Sequence, residues 1–194
     1  LGAVALAGAA MLCKEVGLTS LLVCAACDVA VTLARLRRNG SLGGMIPGLL
    51  VRLIVLGFGG ASLLYLRLHI NGFRTPSFTP SDNSAAFCST VLCRRLSLSY
   101  LFHYNLRLLL LPTHLAHDYS MTTIPNLHDL SDPRTPFVLL FYTLLISLIT
   151  YCLFALYKKR LSLFLSISVG SSLLILPFLP ASNLFVIVGF TIAE

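Results

Sequence analysis

Residues 137–157 read FVLLFYTLLISLITYCLFALY, and Lys158-Lys159-Arg160 follows them directly. A run of about 20 apolar residues is long enough to cross the hydrocarbon layer of a membrane as one α-helix. Four other segments have the same character, the first of them incomplete: 1–13, 17–34, 48–68 and 161–179. The pattern therefore predicts an all-α, polytopic membrane protein with about five spans.

The composition of the whole chain agrees with this prediction. Hydrophobic residues make up 57% of the sequence and charged residues only 11%, whereas soluble domains are about 45–50% apolar and about 25% charged. The chain begins inside an apolar run and stops at Glu194 without a polar tail. We expect it to be the middle of a longer protein that continues at both ends.

The basic residues predict how the spans are oriented. The net charge of +7 could by itself indicate nucleic-acid binding, but many of the basic residues lie in short clusters at 35–38 and 158–160, each between apolar segments. Such clusters are typical of cytoplasmic loops, so we expect no nucleic-acid partner. If both clusters are cytoplasmic, three segments face the opposite, luminal side: 14–16, 69–135 and 181–194.

The segment 69–135 carries all five histidines and four of the seven acidic residues, which predicts a luminal loop domain. Within it, residues of about 97–111 form a short apolar run that contains Tyr100, Tyr104 and Arg107, a composition typical of a helix lying in the membrane interface. The predicted order is spans in 1–68, the loop domain in 69–135, two spans in 136–180, and the start of a luminal segment in 181–194.

Two charged or proline-rich stretches lie on the predicted luminal side. Lys14-Glu15 either ends a helix with two charges in water, or places a cation for a lipid phosphate with Glu15 orienting it. The residues alone favour the first interpretation. In the stretch 74–83, Pro76 and Pro80 predict an extended backbone, and residues 81–83 can cap the helix that follows.

Histidine and cysteine spacings were considered as metal or disulfide sites. His114-x-x-His117-Asp118 could place two imidazoles on one helical face, but Pro112 precedes it and no further ligand completes the set. We therefore expect a hydrogen-bonded loop and no metal. Cys88 and Cys93 could pair if their loop is luminal, and the sequence leaves that pairing open.

Three stretches in one order resemble a known family: MLCKEVGLT at 11–19, RxPxFxxxDNxAAF at 74–87 with HDYSM at 117–121, and LPFLPASNLF at 176–185 with VGF and Ala193-Glu194 after it. Together they are similar to the transmembrane and tetratricopeptide-repeat (TMTC) proteins of the endoplasmic reticulum, which have a C-type glycosyltransferase (GT-C) membrane fold. The chain departs from the family pattern at Ser84, where Pro is usual, and both at Tyr119 and in the stretch around Leu106–Leu111, where Trp is usual.

The resemblance implies a protein O-mannosyltransferase of the endoplasmic-reticulum membrane. Its donor is dolichyl-phosphate mannose, its acceptors are Ser/Thr hydroxyls of luminal proteins such as cadherins, and the anomeric configuration inverts. Such a transfer needs a carboxylate as general base. The resemblance places this base in a luminal loop before Leu1, so the fragment alone is expected to be inactive. No cofactor or metal is implied.

The resemblance also implies roles for charged residues near the donor. Lys14 would contact the donor phosphate, and Glu15 and Glu194 would orient it. Three further residues would belong to the luminal loop near the site: Arg74, Asp82 and Asp118.

Functions of other classes remain open from the residues themselves. A non-catalytic membrane interaction protein is one. A transporter subunit is another, and it would need polar residues inside the spans. Only Asp28 and Arg52 qualify, and both are interpreted as near the cytoplasmic boundary, where Arg52 could extend its charge to the interface. Another lipid-linked sugar transferase of the same fold would keep the mechanism and change the sugar.

Overall fold

A computed structural model describes residues 1–40, 44–73, 77–113 and 115–192. Within these ranges six α-helices follow one another: α1 (Gly2–Cys13), α2 (Ser20–Asn39), α3 (Met45–Ile70), α4 (Val91–Leu110), α5 (Thr135–Tyr157) and α6 (Leu161–Phe178). Short 3₁₀ turns occupy Glu15–Thr19 and Leu179–Ala181. Within the described ranges there is no β-strand, so the prediction of an all-α protein is confirmed.

Four helical segments are long and apolar enough to cross a membrane among the described residues: Glu15–Asn39, Met45–Ile70, Thr135–Tyr157 and Leu161–Ala181. They match the spans predicted at 17–34, 48–68, 137–157 and 161–179. The incomplete span expected at 1–13 is α1, which has only 12 residues.

The chain divides into two compact units. The first, here called the helix unit, comprises Leu1–Thr75 and Ile149–Pro177, and the second, the loop unit, comprises Pro76–Leu148 and Phe178–Glu194. The sequence predicted a loop domain at 69–135 and a separate segment from residue 181. In the structure the predicted loop domain from Pro76 onward belongs to the same unit as the segment from residue 181 and the first part of α5, whereas residues 69–75 belong to the helix unit.

In the helix unit, glycines allow close contact between α1 and α3. A Cβ atom at Gly8 would meet the Leu63 side chain at 3.2 Å, and one at Gly59 would meet Val4 at 2.7 Å. Because both contacts have the same offset along the two helices, α1 and α3 run parallel. The chain therefore reverses direction between α1 and α2, and again between α2 and α3.

An ion pair joins α2 to α3. Arg52 Nε lies 3.0 Å from Asp28 Oδ2, with both side chains partly exposed. The sequence interpretation had Arg52 extending alone towards the membrane interface, but the structure pairs it with Asp28. A pair within two apolar helices satisfies both charges where water is scarce.

The ends of α2 and α5 meet in the same unit. Ala30 and Ala34 of α2 share a buried cluster with Ala155 and Phe164. The turn between α5 and α6 is a Schellman motif, since the Arg160 N–H donates to the Ala155 carbonyl at 2.9 Å. Both predicted basic clusters, 35–38 and 158–160, are therefore at the same end of this unit.

In the loop unit, α4 packs one face against the surrounding loops. Its Leu101 lies in a cluster of buried residues with Ala85, Tyr119, Ile124 and Ile192. The helix begins at Val91, earlier than the start near residue 97 that the sequence suggested.

The N-terminus of α4 is held in two ways. The Thr90 hydroxyl accepts the Cys93 N–H at 3.1 Å and so caps the helix, the role that the sequence had given to residues 81–83. Cys93 is joined to Cys88 by a disulfide across a Cα–Cα distance of 5.9 Å. The structure thus settles the pairing that the sequence left open.

Candidate functional site

Lys14 lies in the break between α1 and the 3₁₀ turn. Its backbone is extended, with φ −149° and ψ 137°, and its N–H donates to the Ala10 carbonyl at 2.9 Å while its own carbonyl accepts the Gly17 N–H at 2.8 Å. Gly17 makes this tight reversal possible, because a Cβ atom there would overlap the backbone of Ala10. The break therefore places Lys14 and Glu15 on the surface at the end of α1.

Glu15 is paired, but not with the residue that the sequence suggested. Its Oε1 accepts from Nη2 of Arg67, which is in the last turn of α3. The Lys14 side chain is exposed and has no hydrogen bond or ion pair within the described part of the chain. Among the described residues Lys14 is thus a cation without a counter-ion, beside the Glu15–Arg67 ion pair.

Arg67 was missed by the sequence analysis. It was counted only as the end of an apolar span, although the predicted topology already placed the end of that span on the same side as residues 14–16. Its Nε atom is buried without a hydrogen-bond partner in the ranges that the structure describes. The guanidinium therefore keeps donor capacity beyond its bond to Glu15.

Aromatic rings gather at the same end of α3. The centroid of the Tyr65 ring lies 6.3 Å from that of His69 and 5.9 Å from that of Phe73. Amphipathic rings of this kind are typical of the boundary between hydrocarbon and headgroups. We therefore expect the charges of Lys14, Glu15 and Arg67 to lie near the boundary between hydrocarbon and headgroups.

Asp82 stabilises a turn in the loop unit. Its Oδ2 accepts the Thr79 N–H at 2.7 Å and the Thr79 hydroxyl at 2.8 Å. These hydrogen bonds lower the pKa of the Asp82 carboxyl. The group is ionised at neutral pH, with one of its two oxygens engaged within its own turn.

Asp118 makes a similar local contact. Its Oδ1 accepts the Ser120 N–H at 2.9 Å and its Oδ2 accepts the Ser120 hydroxyl at 2.5 Å. The bonds from Ser120 lower the pKa of Asp118, with a smaller contribution from His117. Both carboxylates predicted near the site are therefore ionised groups that bond to their own loops.

The remaining predicted residues lie elsewhere or cannot be placed. Arg74, His114 and Glu194 are outside the described residues, so the predicted roles of Arg74 and Glu194 stay predictions. In the described part of the chain, the side-chain atoms of Cys88, Cys93 and His128 that could bind a metal lie within 4.8 Å of one another. Its two cysteines form the disulfide, and a metal would need them as thiolates.

One motif residue has a role that the sequence did not suggest. Asn83 is fully buried, and its amide nitrogen donates to Asn183 Oδ1 at 2.9 Å and to the carbonyls of Val188 and Phe190 at 3.0 Å. Its side-chain oxygen accepts the Ala86 N–H at 3.2 Å. Asn83 thus connects the loop before α4 to the segment after α6 by hydrogen bonds.

Ser84 and Tyr119 depart from the family pattern, and both make polar contacts. Ser84 Oγ lies 3.3 Å from Asn126 Oδ1, and the Asn126 amide donates to the Ser84 carbonyl at 3.1 Å. The Tyr119 ring is buried edge-on against Tyr104, and its hydroxyl accepts the Ala116 N–H at 3.1 Å. A hydroxyl-bearing side chain therefore fits both positions.

Comparison with known proteins gives one consistent result. The family model "Protein O-mannosyl-transferase TMTC, DUF1736" matches residues 72–146. Human protein O-mannosyl-transferase TMTC4 is 38% identical over 97% of this chain, human TMTC3 is 34% identical over 97%, and human TMTC2 is 34% identical over the whole chain. No solved structure matches. The chain spans 27%, 21% and 30% of the lengths of those three relatives.

Proposed function

Because this chain belongs to the TMTC family of protein O-mannosyl-transferases, we propose that it forms the donor side of an enzyme that mannosylates proteins. The donor is dolichyl-phosphate mannose, and the acceptors are Ser/Thr hydroxyls of luminal proteins of the cadherin type, with inversion at the anomeric carbon. The whole enzyme has a GT-C fold, of which this chain supplies four membrane-length helices and a loop unit.

The orientation belongs to the same proposal. The two basic clusters lie at one end of the helix unit, as expected for cytoplasmic ends of α2 and α5. The segment between α3 and α5 then follows one membrane crossing and precedes the next, so it is luminal. The disulfide between Cys88 and Cys93 supports an oxidising compartment such as the lumen of the endoplasmic reticulum.

The observation that carries the proposal is the exposed cation at Lys14, which has no ion-pair partner among the described residues. When the hydroxyl of the acceptor attacks the sugar, the bond to the lipid phosphate breaks and negative charge collects on that phosphate. A fixed ammonium at the membrane surface stabilises such charge. Arg67 holds Glu15, so the carboxylate does not neutralise Lys14.

The general base comes from a part of the whole protein outside residues 1–194. A base needs a pKa near the working pH, but hydrogen bonds lower the pKa of both Asp82 and Asp118. We assign these two carboxylates to loop architecture. Arg74 remains a candidate for the same loop, and Glu194 a candidate for orienting the donor.

Mannose transfer by the whole protein tests the proposal. Microsomes containing the full-length enzyme are given labelled dolichyl-phosphate mannose and a cadherin domain. Lys14→Gln should reduce transfer roughly 100-fold, the usual effect of losing one group that stabilises developing charge. Lys14→Arg should restore part of it, and Lys159→Gln, which removes the same charge at the opposite end of the helix unit, should leave it unchanged.

The opposite outcomes are equally informative. Near-normal transfer by Lys14→Gln would show that Lys14 is not part of the donor site. It would leave the proposed enzymatic function unaffected. If the folded parent protein itself transferred no mannose, a non-catalytic membrane interaction protein would be the better reading. The transporter alternative has less support, because Asp28 and Arg52 bond to each other and so do not line a polar path.

A further inference from the structure

Six basic residues form one surface that the proposed reaction does not use. We call this surface the basic rim: Arg35, Arg37 and Arg38 at the end of α2, and Lys158, Lys159 and Arg160 in the turn between α5 and α6. All six are exposed. The two halves are far apart in sequence, but Arg37 Nη2 donates to the Tyr157 carbonyl at 3.1 Å. The fold therefore joins them into a single patch.

Two of these cations approach the Tyr157 ring. The Arg37 guanidinium carbon is 5.9 Å from the ring centroid and the Lys158 ammonium is 5.6 Å from it. Tyr157 as a residue is 67% exposed. Two like charges beside one aromatic ring repel each other, so the arrangement favours an anion that contacts both.

The chain supplies no such anion in its described part. Its three ion pairs there involve Arg52, Arg67 and Arg134, and none involves the basic rim. Asp28, the acidic residue of α2, is already bonded to Arg52. The six charges of the rim thus have no carboxylate partner among the described residues.

The backbone of the rim also carries a charged residue at an unusual position. Lys159 has φ 56° at the left-handed C′ position of the Schellman motif, which glycine usually occupies. A side chain there is accommodated against the conformational preference of L-residues. The turn therefore keeps a positive charge where an uncharged glycine would be less strained.

We propose that the basic rim binds the phosphate headgroup of an acidic phospholipid, with Arg37 and Lys158 providing positive charge beside Tyr157. Because α2 and α5 are membrane-length helices that end at the rim, its charges lie in the headgroup layer. Clusters of four to eight basic residues at this level attract anionic lipids. The inference requires these helices to cross the membrane but does not depend on mannose transfer.

Lipid binding to the purified full-length protein in detergent tests the proposal. Native mass spectrometry measures the bound fraction during titration with phosphatidylserine or phosphatidylcholine. The parent protein should bind phosphatidylserine more tightly. The double variant Arg37→Gln/Lys158→Gln should weaken that binding on the order of 25-fold, at about fivefold for each charge removed near the surface.

Two further variants separate charge from structure. Arg94→Gln/Arg95→Gln removes two exposed, adjacent charges from α4 and should leave phosphatidylserine binding unchanged. Lys158→Gln alone leaves the Arg37 bond to Tyr157 in place and should weaken binding about fivefold, so a folding defect in the double variant does not decide the result. The two rim variants, Arg37→Gln/Lys158→Gln and Lys158→Gln, should transfer mannose at the rate of the parent protein.

Three results would overturn the proposal. One is equal affinity for phosphatidylserine and phosphatidylcholine in the parent protein. A second is unchanged phosphatidylserine binding by both rim variants. The third is displacement of the lipid by inorganic phosphate at a similar concentration, which would indicate a site for free phosphate rather than for a lipid.

Discussion

In the loop unit one buried amide, Asn83, bonds to three groups far away in the sequence, whereas in the helix unit the ion pairs lie on partly exposed surfaces. The loop unit also has a disulfide and a buried cluster around Leu101. The helix unit presents long apolar surfaces, and no residue of α3 is buried. The two units thus depend on different kinds of interaction.

This difference reflects the environment for which each unit is built. A loop region in water must satisfy its own backbone groups, so it concentrates hydrogen bonds on a few side chains. Membrane helices satisfy their backbone internally and leave apolar side chains to lipid or to other helices. Single polar deletions should therefore be most damaging in the loop unit, and steric changes in the helix unit.

The largest effect is expected for Asn83→Ala. The substitution leaves the Val188 and Phe190 carbonyls and the Ala86 N–H without their partner in a buried site. We expect a loss of about 3 kcal/mol in the free energy of unfolding, measured by thermal and denaturant unfolding of the protein in detergent. Asn71→Ala, at an exposed asparagine, should change it by less than about 0.5 kcal/mol. Equal effects of the two would contradict the role of Asn83.

A smaller but clear effect is expected for Gly17→Ala in the helix unit. The new methyl group would overlap the Ala10 backbone, which cannot move without shifting α1, so we expect a loss of about 2 kcal/mol together with reduced mannose transfer. Gly57→Ala is the control, because a Cβ atom there meets nothing within 4 Å. It should be neutral or stabilising by up to about 1 kcal/mol. Normal transfer by Gly17→Ala would show that the tight break does not position Lys14.

The smallest effect is the pH dependence of Asp132. Hydrogen bonds from the Arg134 side chain and backbone lower the pKa of Asp132 from 3.8 to about 2. Because the folded pKa is the lower one, ionised Asp132 stabilises the protein above pH 3.8, and this contribution is lost as the pH falls through about 2. Asp132→Asn should therefore lower the melting temperature at pH 7, and the difference should be mostly lost by pH 2 and vanish below it.

The control for this pH dependence is another aspartate of the same loop. Asp129 accepts the Ser131 N–H at 2.8 Å and has no bond to a guanidinium among the described residues. Asp129→Asn should thus give a smaller difference at pH 7 than Asp132→Asn. A difference for Asp132→Asn that grew towards low pH would contradict the assigned pKa shift.

Much of the architecture could be predicted because its signals are local in the sequence. Apolar runs such as 137–157 and the basic clusters after them predict helices and their order from length and charge alone. The four membrane-length helices agree with that prediction. The helix break at Lys14-Glu15 could be predicted for a similar reason, since a charge pair between apolar runs ends a helix, but the donor-phosphate role of Lys14 was implied only by the family resemblance.

Two of the errors in the sequence prediction concern residues whose contacts join distant segments. Arg67 was counted as the end of a span, although its partner is 52 positions away. Asn83 was interpreted as a local cap, but its amide bonds to residues about 100 positions further on. The start of α4 was placed too late, because residues near Cys93 lack the apolar pattern by which the helix was recognised. The contacts of Arg67 and Asn83 have no signal in local composition.

The sequence by itself therefore determined that this is an all-α membrane protein, which segments are long enough to cross, and that it resembles the TMTC family. These features follow from transfer of side chains between water and lipid, which depends on each segment alone. Only the tertiary structure decided which charges are paired and which are not. That choice depends on distances between helices and loops, and it leaves Lys14 and the basic rim without counter-ions in the described chain.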